Sequence, residues 1–406
     1  MANNNIISAT PAEGRAPAVL QVIPSLISGG VERGTVDLAR SLVEAGWTAL
    51  VASTGGPMER DLARAGARHI TLPLASKSPL TIRRNARTLE QLIRRERVDI
   101  VHARSRAPAW SGWLAARAAN RRFVTTFHNA YAIDLPLKQR YNAVMARGER
   151  VIAISNFVAE HVARVYGVGP DRLRTIPRGV DLSVFNPGKV RGDRVVALAN
   201  HWRVPDGAVV VLLPGRLTRW KGGLDFIEAI ARLERRDLCC VFAGSEQHKG
   251  FRREIETTIE RRGVGGLFRI VEDCRDMPAA YALADVVVSA STEPEGFGRV
   301  VVEAQAMGRP VIATAHGGAR ETIVAGATGW LVAPGDPAAL SAAIGEALTL
   351  SGDERDALGR RAMAHIAAHF TREEMCARTI DVYEELLFPA AATIPQWRHE
   401  RLAISA

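Results

Sequence analysis

The 406-residue sequence predicts an α/β protein built from two doubly wound parallel-sheet domains. Short apolar runs alternate with amphipathic stretches along most of the chain, the pattern of strands joined by crossover helices. The alternation is interrupted once, by the Pro-, Gly- and Asn-punctuated stretch IPRGVDLSVFNPGKVRGD at 176–193, and then resumes. A chain of 406 residues also exceeds a single hydrophobic core, which stops growing at roughly 250–300 residues.

Each element has its own justification. The opening MANNNIISATPAEGRAPA is polar and Pro/Ala-rich, without a charged start leading into an apolar run, so residues 1–17 read as a frayed tail and not a signal peptide. Residues 18–190 hold the first domain. VLQVI at 19–23 is unbroken apolar sequence, as in strands covered on both faces, and the helically spaced stretch 31–45 follows it. A strand at 49–52, a helix at 58–65, a strand at 68–72 and a helix at 80–97 come next. A strand at 99–102, a helix at 110–119 and a strand at 123–127 continue the beat, with 137–147 helical, 151–154 extended and 157–166 helical. Residues 191–370 hold the second domain, with strands at 209–213, 238–243, 268–271, 285–290, 310–314 and 330–332. Helices separate them, and three more helices fall over 338–387. Ligands of such sheets bind beyond the carboxyl ends of the strands, in a cleft between the two domains, so residues just after strands are the candidates for chemistry.

Composition narrows the function. Hydrophobic residues make up 47%, charged residues 24% and aromatic residues 6%, which excludes disordered and fibrous classes. Residues 1–190 carry 27 Lys and Arg against 14 Asp and Glu, whereas 191–406 carry 26 against 29, so only the N-terminal half is basic. One basic domain beside a near-neutral one suits an anionic substrate, a membrane surface or simply a well-solvated face. No nucleic-acid partner is expected, because the basic half has no groove-reading module or aromatic stacking repeat. Cys239, Cys240, Cys274 and Cys376 form no C-x-x-C pair and no metal-ligand spacing, and read as core residues in a reducing, cytoplasmic compartment. No run reaches the ~18–20 apolar residues of a membrane span, so any membrane contact is peripheral. The helix at 80–97 places Arg83, Arg87 and Arg94 opposite Leu89, Leu92 and Ile93. With Arg104, Arg106, Trp110, Trp113, Arg117, Arg121 and Arg122 it can rest on anionic lipid, although an ordinary exposed helix face reads from the same residues.

Motifs fall just after the strands. Gly29 and Gly30 follow the first strand at a helix start, where backbone N–H groups favour an anion, although a tight strand-to-helix turn explains them too. Their G-G-x-x-x-G spacing is not the dinucleotide fingerprint. In GRLTRWKGG (215–223), Arg216 and Lys221 can clamp a diphosphate through a planar fork and a compact charge, or line a solvated basic loop. In EPEGFGRVVVEA (293–304), Glu295 and Glu303 flank the Phe297–Gly298 turn, with Arg299 at the expected helix start and Glu303 about one turn (~6 Å) inside it. Amides at that N-terminus can seat a phosphate, Glu303 can accept from ribose hydroxyls and Glu295 from hexose hydroxyls. His102 ends one strand and His128 follows the next, so both are expected to face the cleft. The loop 271–277, with Cys274 and Met277, is expected against the nucleotide base.

On these residues the chain resembles the retaining nucleotide-sugar glycosyltransferases of family 4, which have the GT-B fold. The carrying segments are GRLTRWKGG, MPAAYALADVVVSAS, EPEGFGRVVVEAQAMGRPVIAT, GGARETI and TGWLVAPGD. The resemblance implies transfer of a sugar from a nucleoside diphosphate donor to an acceptor hydroxyl, with Arg216 and Lys221 on the diphosphate. It implies Glu303 on the ribose, Glu295 with Phe297–Gly298 on the donor sugar, Gly30 near the phosphates and His128 beside the anomeric centre. His102, Arg104, Arg106 and Asn129 are the acceptor-side candidates, and the C-terminal helix within 371–406 is expected to cross back toward the first domain. Two departures stand out: Arg178-Gly179-Val180-Asp181 replaces the usual Asn-Gly-Val-Asp, and Asn129 replaces a frequent Asp after the active-site His. VLQVIPSLISGGVERGTVDLAR, HARSRAPAWSGWLAAR and FVTTFHNAY look like the lipopolysaccharide-core sugar transferases of Gram-negative bacteria, which implies GDP-mannose or a UDP-sugar as donor. The same likeness implies an acceptor that is lipid-linked or part of the lipopolysaccharide core, met at the cytoplasmic face of the inner membrane.

Retention requires either a carboxylate nucleophile or a front-face route in which the departing phosphate helps deprotonate the acceptor. No well-placed nucleophile is visible in the sequence, which favours the front-face route with Arg216 and Lys221 stabilising the developing charge. No Asp-x-Asp occurs, so neither a metal nor a cofactor is expected, the nucleotide sugar being a substrate. A nucleotide-sugar epimerase of the same architecture and a non-catalytic scaffold in polysaccharide assembly are the rival readings.

Overall fold

The computed structural model describes residues 15–27, 29–131, 136–246 and 250–389. The expected tail therefore lies outside the described residues up to position 14, as does the chain after 389. By packing the chain forms two units. Among the described residues, one comprises those up to Ile154, Val158–Ile176 and those from Met375 to 389; the other comprises Ser155–Phe157 and those within Pro177–Glu374.

The first unit is a seven-stranded parallel sheet of β1 (Ala18–Val22), β2 (Thr48–Ser53), β3 (Arg68–Thr71), β4 (Ile100–Ala103), β5 (Arg122–Phe127), β6 (Arg150–Ala153) and β7 (Leu173–Thr175). The order is β3-β2-β1-β4-β5-β6-β7, so the winding reverses between β1 and β4. Val19, Ile23, Val36, Leu42, Val51, Ile100, Val124 and Ile152 form one buried cluster on the sheet. The helix Arg372–Leu387 completes that cluster with Met375, Cys376, Ile380, Tyr383, Leu386 and Leu387. Burying an apolar side chain of that size contributes roughly 1.5–3 kcal/mol, which ties the C-terminal helix firmly to this unit.

The second unit is a six-stranded parallel sheet of β8 (Val209–Pro214), β9 (Leu238–Ala243), β10 (Phe268–Val271), β11 (Val286–Ser289), β12 (Val311–Thr314) and β13 (Trp330–Val332). Its order, β10-β9-β8-β11-β12-β13, reverses between β8 and β11. Phe226, Phe242 and Phe268 pack edge-on and stacked on one face, and Tyr281, Val301 and Met307 cover the other. The three expected C-terminal helices are Pro337–Thr349, Gly352–His369 and Arg372–Leu387. Asp336 caps the first of these onto Ala339 N–H, and Ser351 with Glu354 forms a capping box on the second.

The structure departs from the sequence reading in four places. The helix expected from 110 starts at Arg106, because Pro108 sits in its first turn, where a missing N–H costs nothing. The helix Gly192–Trp202, unassigned from sequence, packs Trp202 and Leu198 beside Tyr281. β7 is three residues long, too short to announce itself. Residues 177–190, expected with the first domain, group with the second unit. Val180 bridges to Thr371, and the Phe185 ring lies 6.0 Å from that of Tyr281.

Candidate active site

Each unit gathers its candidates at the carboxyl edge of its own sheet. In the second unit the loops after β8 and β11 meet at the reversal point, where open sheets bind ligands. Gly222, at φ +72°, lets the first loop settle on the end of β11; a Cβ there would stand 1.8 Å from the Ala290 carbonyl oxygen. Thr292 N–H donates to the Trp220 carbonyl at 2.7 Å, joining the two loops.

Lys221 and Glu295 are thereby brought into contact. Lys221 Nζ donates to Glu295 Oε1 at 2.6 Å, and Ser291 Oγ donates to the same oxygen at 2.5 Å. The two charged side chains are 13% and 20% exposed. Lys221 Nζ lies 4.5 Å from the Trp220 ring centroid, and the exposed Arg216 guanidinium lies 6.0 Å from it. Glu295 is held from behind by Gly317, where a Cβ would come within 2.3 Å of the Glu295 carbonyl oxygen, and by Gly318 N–H, which donates to that oxygen at 2.9 Å. Thr314 Oγ1 and His316 Nε2 each lie 2.7 Å from the Ser291 carbonyl oxygen. Sequence reading missed Ser291 and His316, although both follow strands of this edge, β11 and β12.

Glu303 sits one turn inside the helix Arg299–Ala306, as its spacing predicts, with Gly298 at the N-cap and the Phe297 side chain buried. It is 7% exposed, and both of its oxygens accept from protein donors. Arg299 Nη2 donates to Oε1 at 2.6 Å, and the Tyr281 hydroxyl donates to Oε2 at 2.9 Å. Burial first, and then the neighbouring carboxylate, push the Tyr281 phenol well above its ordinary range, so it remains a donor. Arg299, which the family resemblance also implies for donor binding, is held on Glu303 through Nη2. Cys274 and Met277 follow β10 and pack half-buried beside Tyr281, and burial pushes the Cys274 thiol up to about 11.

In the first unit, Gly29 stands at the N-cap of the helix Gly30–Glu44, whose first turn contains Glu32. His128 directly follows β5 and is half-buried, and Asn129 is exposed with its Oδ1 accepting from Ala130 N–H at 2.9 Å. Arg106 opens the helix Arg106–Ala118, where its guanidinium lies 4.4 Å from the Tyr131 ring centroid and donates to Asn142 Oδ1 at 3.1 Å. Arg104 is buried beside the β1/β4 reversal and donates to Gln21 Oε1 at 3.1 Å; its Nε has no hydrogen-bond partner. His102 requires a correction. It is fully buried, with Nδ1 2.6 Å from the Tyr383 hydroxyl and Nε2 2.7 Å from Thr126 Oγ1, and so is not presented to an acceptor. It lies within β4, whose two faces are both covered, and burial holds the imidazole well below its usual pKa. Among the described residues no helix is long and apolar enough to cross a membrane, and no group of three or more His, Cys, Asp or Glu is arranged to hold a metal ion.

Comparison with known proteins places these features in a family. Residues 28–184 match the family described as Glycosyltransferase Family 4, and residues 198–365 match Glycosyl transferases group 1. A D-inositol 3-phosphate glycosyltransferase of Xylanimonas cellulosilytica is 31% identical over 304 residues, which cover 71% of this chain and 72% of that protein. The crystal structure of a glycosyltransferase from Rickettsia africae superposes with a TM-score of 0.85 at 36% identity, covering 92% of this chain and 100% of that one. Anabaena Alr3699/HepE in complex with UDP and glucose gives a TM-score of 0.79 at 22% identity, covering 90% and 99%. The two parallel-sheet units and these likenesses give the fold class, GT-B.

Proposed function

The chain belongs to glycosyltransferase family 4, and from that premise we propose that it moves a sugar from GDP-mannose or a UDP-sugar to a hydroxyl of a lipid-linked or lipopolysaccharide-core saccharide, with retention and without a metal. The observation that carries this reading is the Lys221–Glu295 pair beside Arg216 and Trp220, at the reversal point of the second sheet. Two cations at one sheet edge match the charge of a diphosphate, and a carboxylate within reach accepts from a hexose hydroxyl.

The residues divide the work as follows. Arg216 and Lys221 take the diphosphate oxygens and stabilise the charge that develops as the bond from the anomeric carbon to the phosphate oxygen breaks. Glu295, released from Lys221, accepts from a donor-sugar hydroxyl, and Ser291 keeps its Oε1 in place. Glu303 offers its remaining lone pairs to ribose, held in orientation by Arg299 and Tyr281. Gly29 and Gly30 bring backbone toward the phosphates, Phe297–Gly298 shapes the sugar pocket, and Cys274 and Met277 border the base. The acceptor oxygen attacks the same face that the phosphate leaves, and its proton passes to the departing phosphate oxygen. His128 lines the anomeric centre, and Arg104, Arg106 and Asn129 bind the acceptor. The positive charges of Arg104 and Arg106 support an anionic acceptor. The Xylanimonas cellulosilytica relative is named a D-inositol 3-phosphate glycosyltransferase, and D-inositol 3-phosphate is itself such an anion. An anionic inner-membrane surface at the cytoplasmic face fits the same charge.

Calorimetric titration with GDP, UDP and ADP, with EDTA present throughout, tests the reading. Micromolar binding of one nucleotide is expected, and binding of none overturns it. Arg216→Ala and Lys221→Ala are each expected to lower kcat by roughly 10²–10³-fold, the loss typical of removing a donor aimed at developing charge. Near-normal turnover in both would reject the clamp, and NMR of the product reads the anomeric configuration directly.

A further inference from the structure

The opposite edge of the first unit's sheet, where β5 and β6 begin, carries an open pocket of 880 Å³. Arg117 and Arg121 reach it from the end of the helix Arg106–Ala118 and the turn beyond, and Arg147 reaches it from the 3-10 turn Ala143–Arg147. The pocket is also lined by Arg150, Arg172 and a single carboxylate, Glu149. Those three are already engaged. Arg122 holds Glu149 at 2.6 Å, Glu385 pairs with Arg150 at 2.9 Å, and Arg172 donates to the carbonyls of Gly148 and Ala146.

Arg117, Arg121 and Arg147 differ: none takes part in an ion pair among the described residues. Two of them are nonetheless held in place. The Arg147 guanidinium lies 4.1 Å and that of Arg117 5.2 Å from the Trp113 ring centroid, both cation–π contacts. Arg121 lines the same wall, and its Nε is buried without a hydrogen-bond partner. A carboxylate fills one guanidinium fork, whereas a terminal phosphate offers three oxygens to three guanidinium groups. β5 spans Arg122–Phe127, so roughly 15–20 Å of strand separates the pocket from His128 at the other end.

We propose that this pocket binds a phosphate monoester or diphosphate group, at a site independent of the transfer reaction. The group belongs either to a phosphorylated lipid headgroup or to a soluble phosphoryl compound. The probes are inorganic pyrophosphate, titrated calorimetrically, and flotation with phosphatidylcholine vesicles with or without phosphatidic acid. Full-length protein carrying Arg216→Ala with Lys221→Ala serves as the reference, which removes both cations of the second unit's clamp as a competing site. That reference is expected to bind at least one probe, and adding Arg117→Gln with Arg147→Gln is expected to weaken the binding at least tenfold at an unchanged melting temperature. Arg147→Gln alone replaces the pair should the combined variant fail to fold. Loss of retention on phosphatidic acid vesicles assigns the group to a lipid headgroup, and loss of pyrophosphate binding without vesicle retention assigns it to a soluble compound. Equal behaviour of the reference and the pocket variants in both arms overturns the proposal.

Discussion

Replacing Glu295 by Gln tests whether the second unit's site must exchange partners to take its donor. Lys221 Nζ donates to Glu295 Oε1 at 2.6 Å, with the side chains 13% and 20% exposed, so the pair is largely desolvated. A hydrogen bond between charged groups contributes roughly 1.5–3 kcal/mol. A diphosphate that takes Lys221 gives up much of that contribution and then faces the carboxylate left behind. Glu295→Gln keeps the shape, and its amide oxygen still accepts from Ser291 Oγ, but the competing charge is gone. Affinity for the bare nucleoside diphosphate is therefore expected to rise by about 1.4 kcal/mol, roughly tenfold. Turnover is expected to fall, because a neutral amide accepts more weakly from the sugar hydroxyl than a carboxylate does. Calorimetry with the nucleotide that binds, alongside steady-state kinetics, reads the two effects separately. Unchanged or weaker nucleotide affinity in a variant that melts like wild type would refute the exchange.

Two further outcomes follow from buried hydroxyl and imidazole groups. Tyr281→Phe removes the donor to Glu303 Oε2, and is expected to weaken donor binding three- to tenfold with little change in kcat, because the hydroxyl touches the carboxylate and not the reacting atoms. A KM and kcat that fall together would contradict this. His102 is kept neutral chiefly by burial, with Arg104 adding repulsion, so its folded-state pKa lies well below the ordinary 6.5. Below pH 6.5 the unfolded chain binds the extra proton and the folded imidazole does not, so stability is lost on acidification below that pH. His102→Gln is expected to flatten that limb in denaturant melts at pH 5, 6 and 7, with a residual slope from His161 and His365, whose burial lowers their pKa as well. An unaltered slope would show that His102 does not titrate between the folded and unfolded states.

Strand-rich stretches were legible because a strand covered on both faces is written as unbroken apolar sequence. Leu238–Ala243, Phe268–Val271 and Trp330–Val332 fall where the residues alone place them. The helix Gly192–Trp202 was not legible, because it follows a stretch punctuated as a linker and its apolar face, Leu198 and Trp202, meets a partner distant in sequence. At the site, position was legible and partnership was not. Lys221, Glu295 and Glu303 stand at strand and helix ends set by local spacing, but nothing in that spacing says that Lys221 meets Glu295 across 74 residues. His102 shows the converse: the end of a strand suggested access, and a helix more than 200 residues later covers it, its Tyr383 hydroxyl 281 residues away in sequence.

The charges at the second unit's edge are balanced within the protein before any ligand arrives. Lys221 is paired with Glu295 and Arg299 with Glu303, while Arg216 stays exposed. A lone desolvated charge is costly, and the Lys221–Glu295 contact offsets that cost for both side chains. The two pairs are not equivalent. Glu295 Oε1 is shared by Lys221 and Ser291, so its charge stays anchored when the lysine leaves. Glu303 has one partner on each oxygen and is more deeply buried, so breaking either contact strands a nearly enclosed carboxylate. On the proposed function, the first pair opens to the donor and the second stays shut. Donor binding that exchanges Lys221 from carboxylate to phosphate, while Glu303 remains fixed by Arg299 and Tyr281, uses each pair in the way its hydrogen bonds permit.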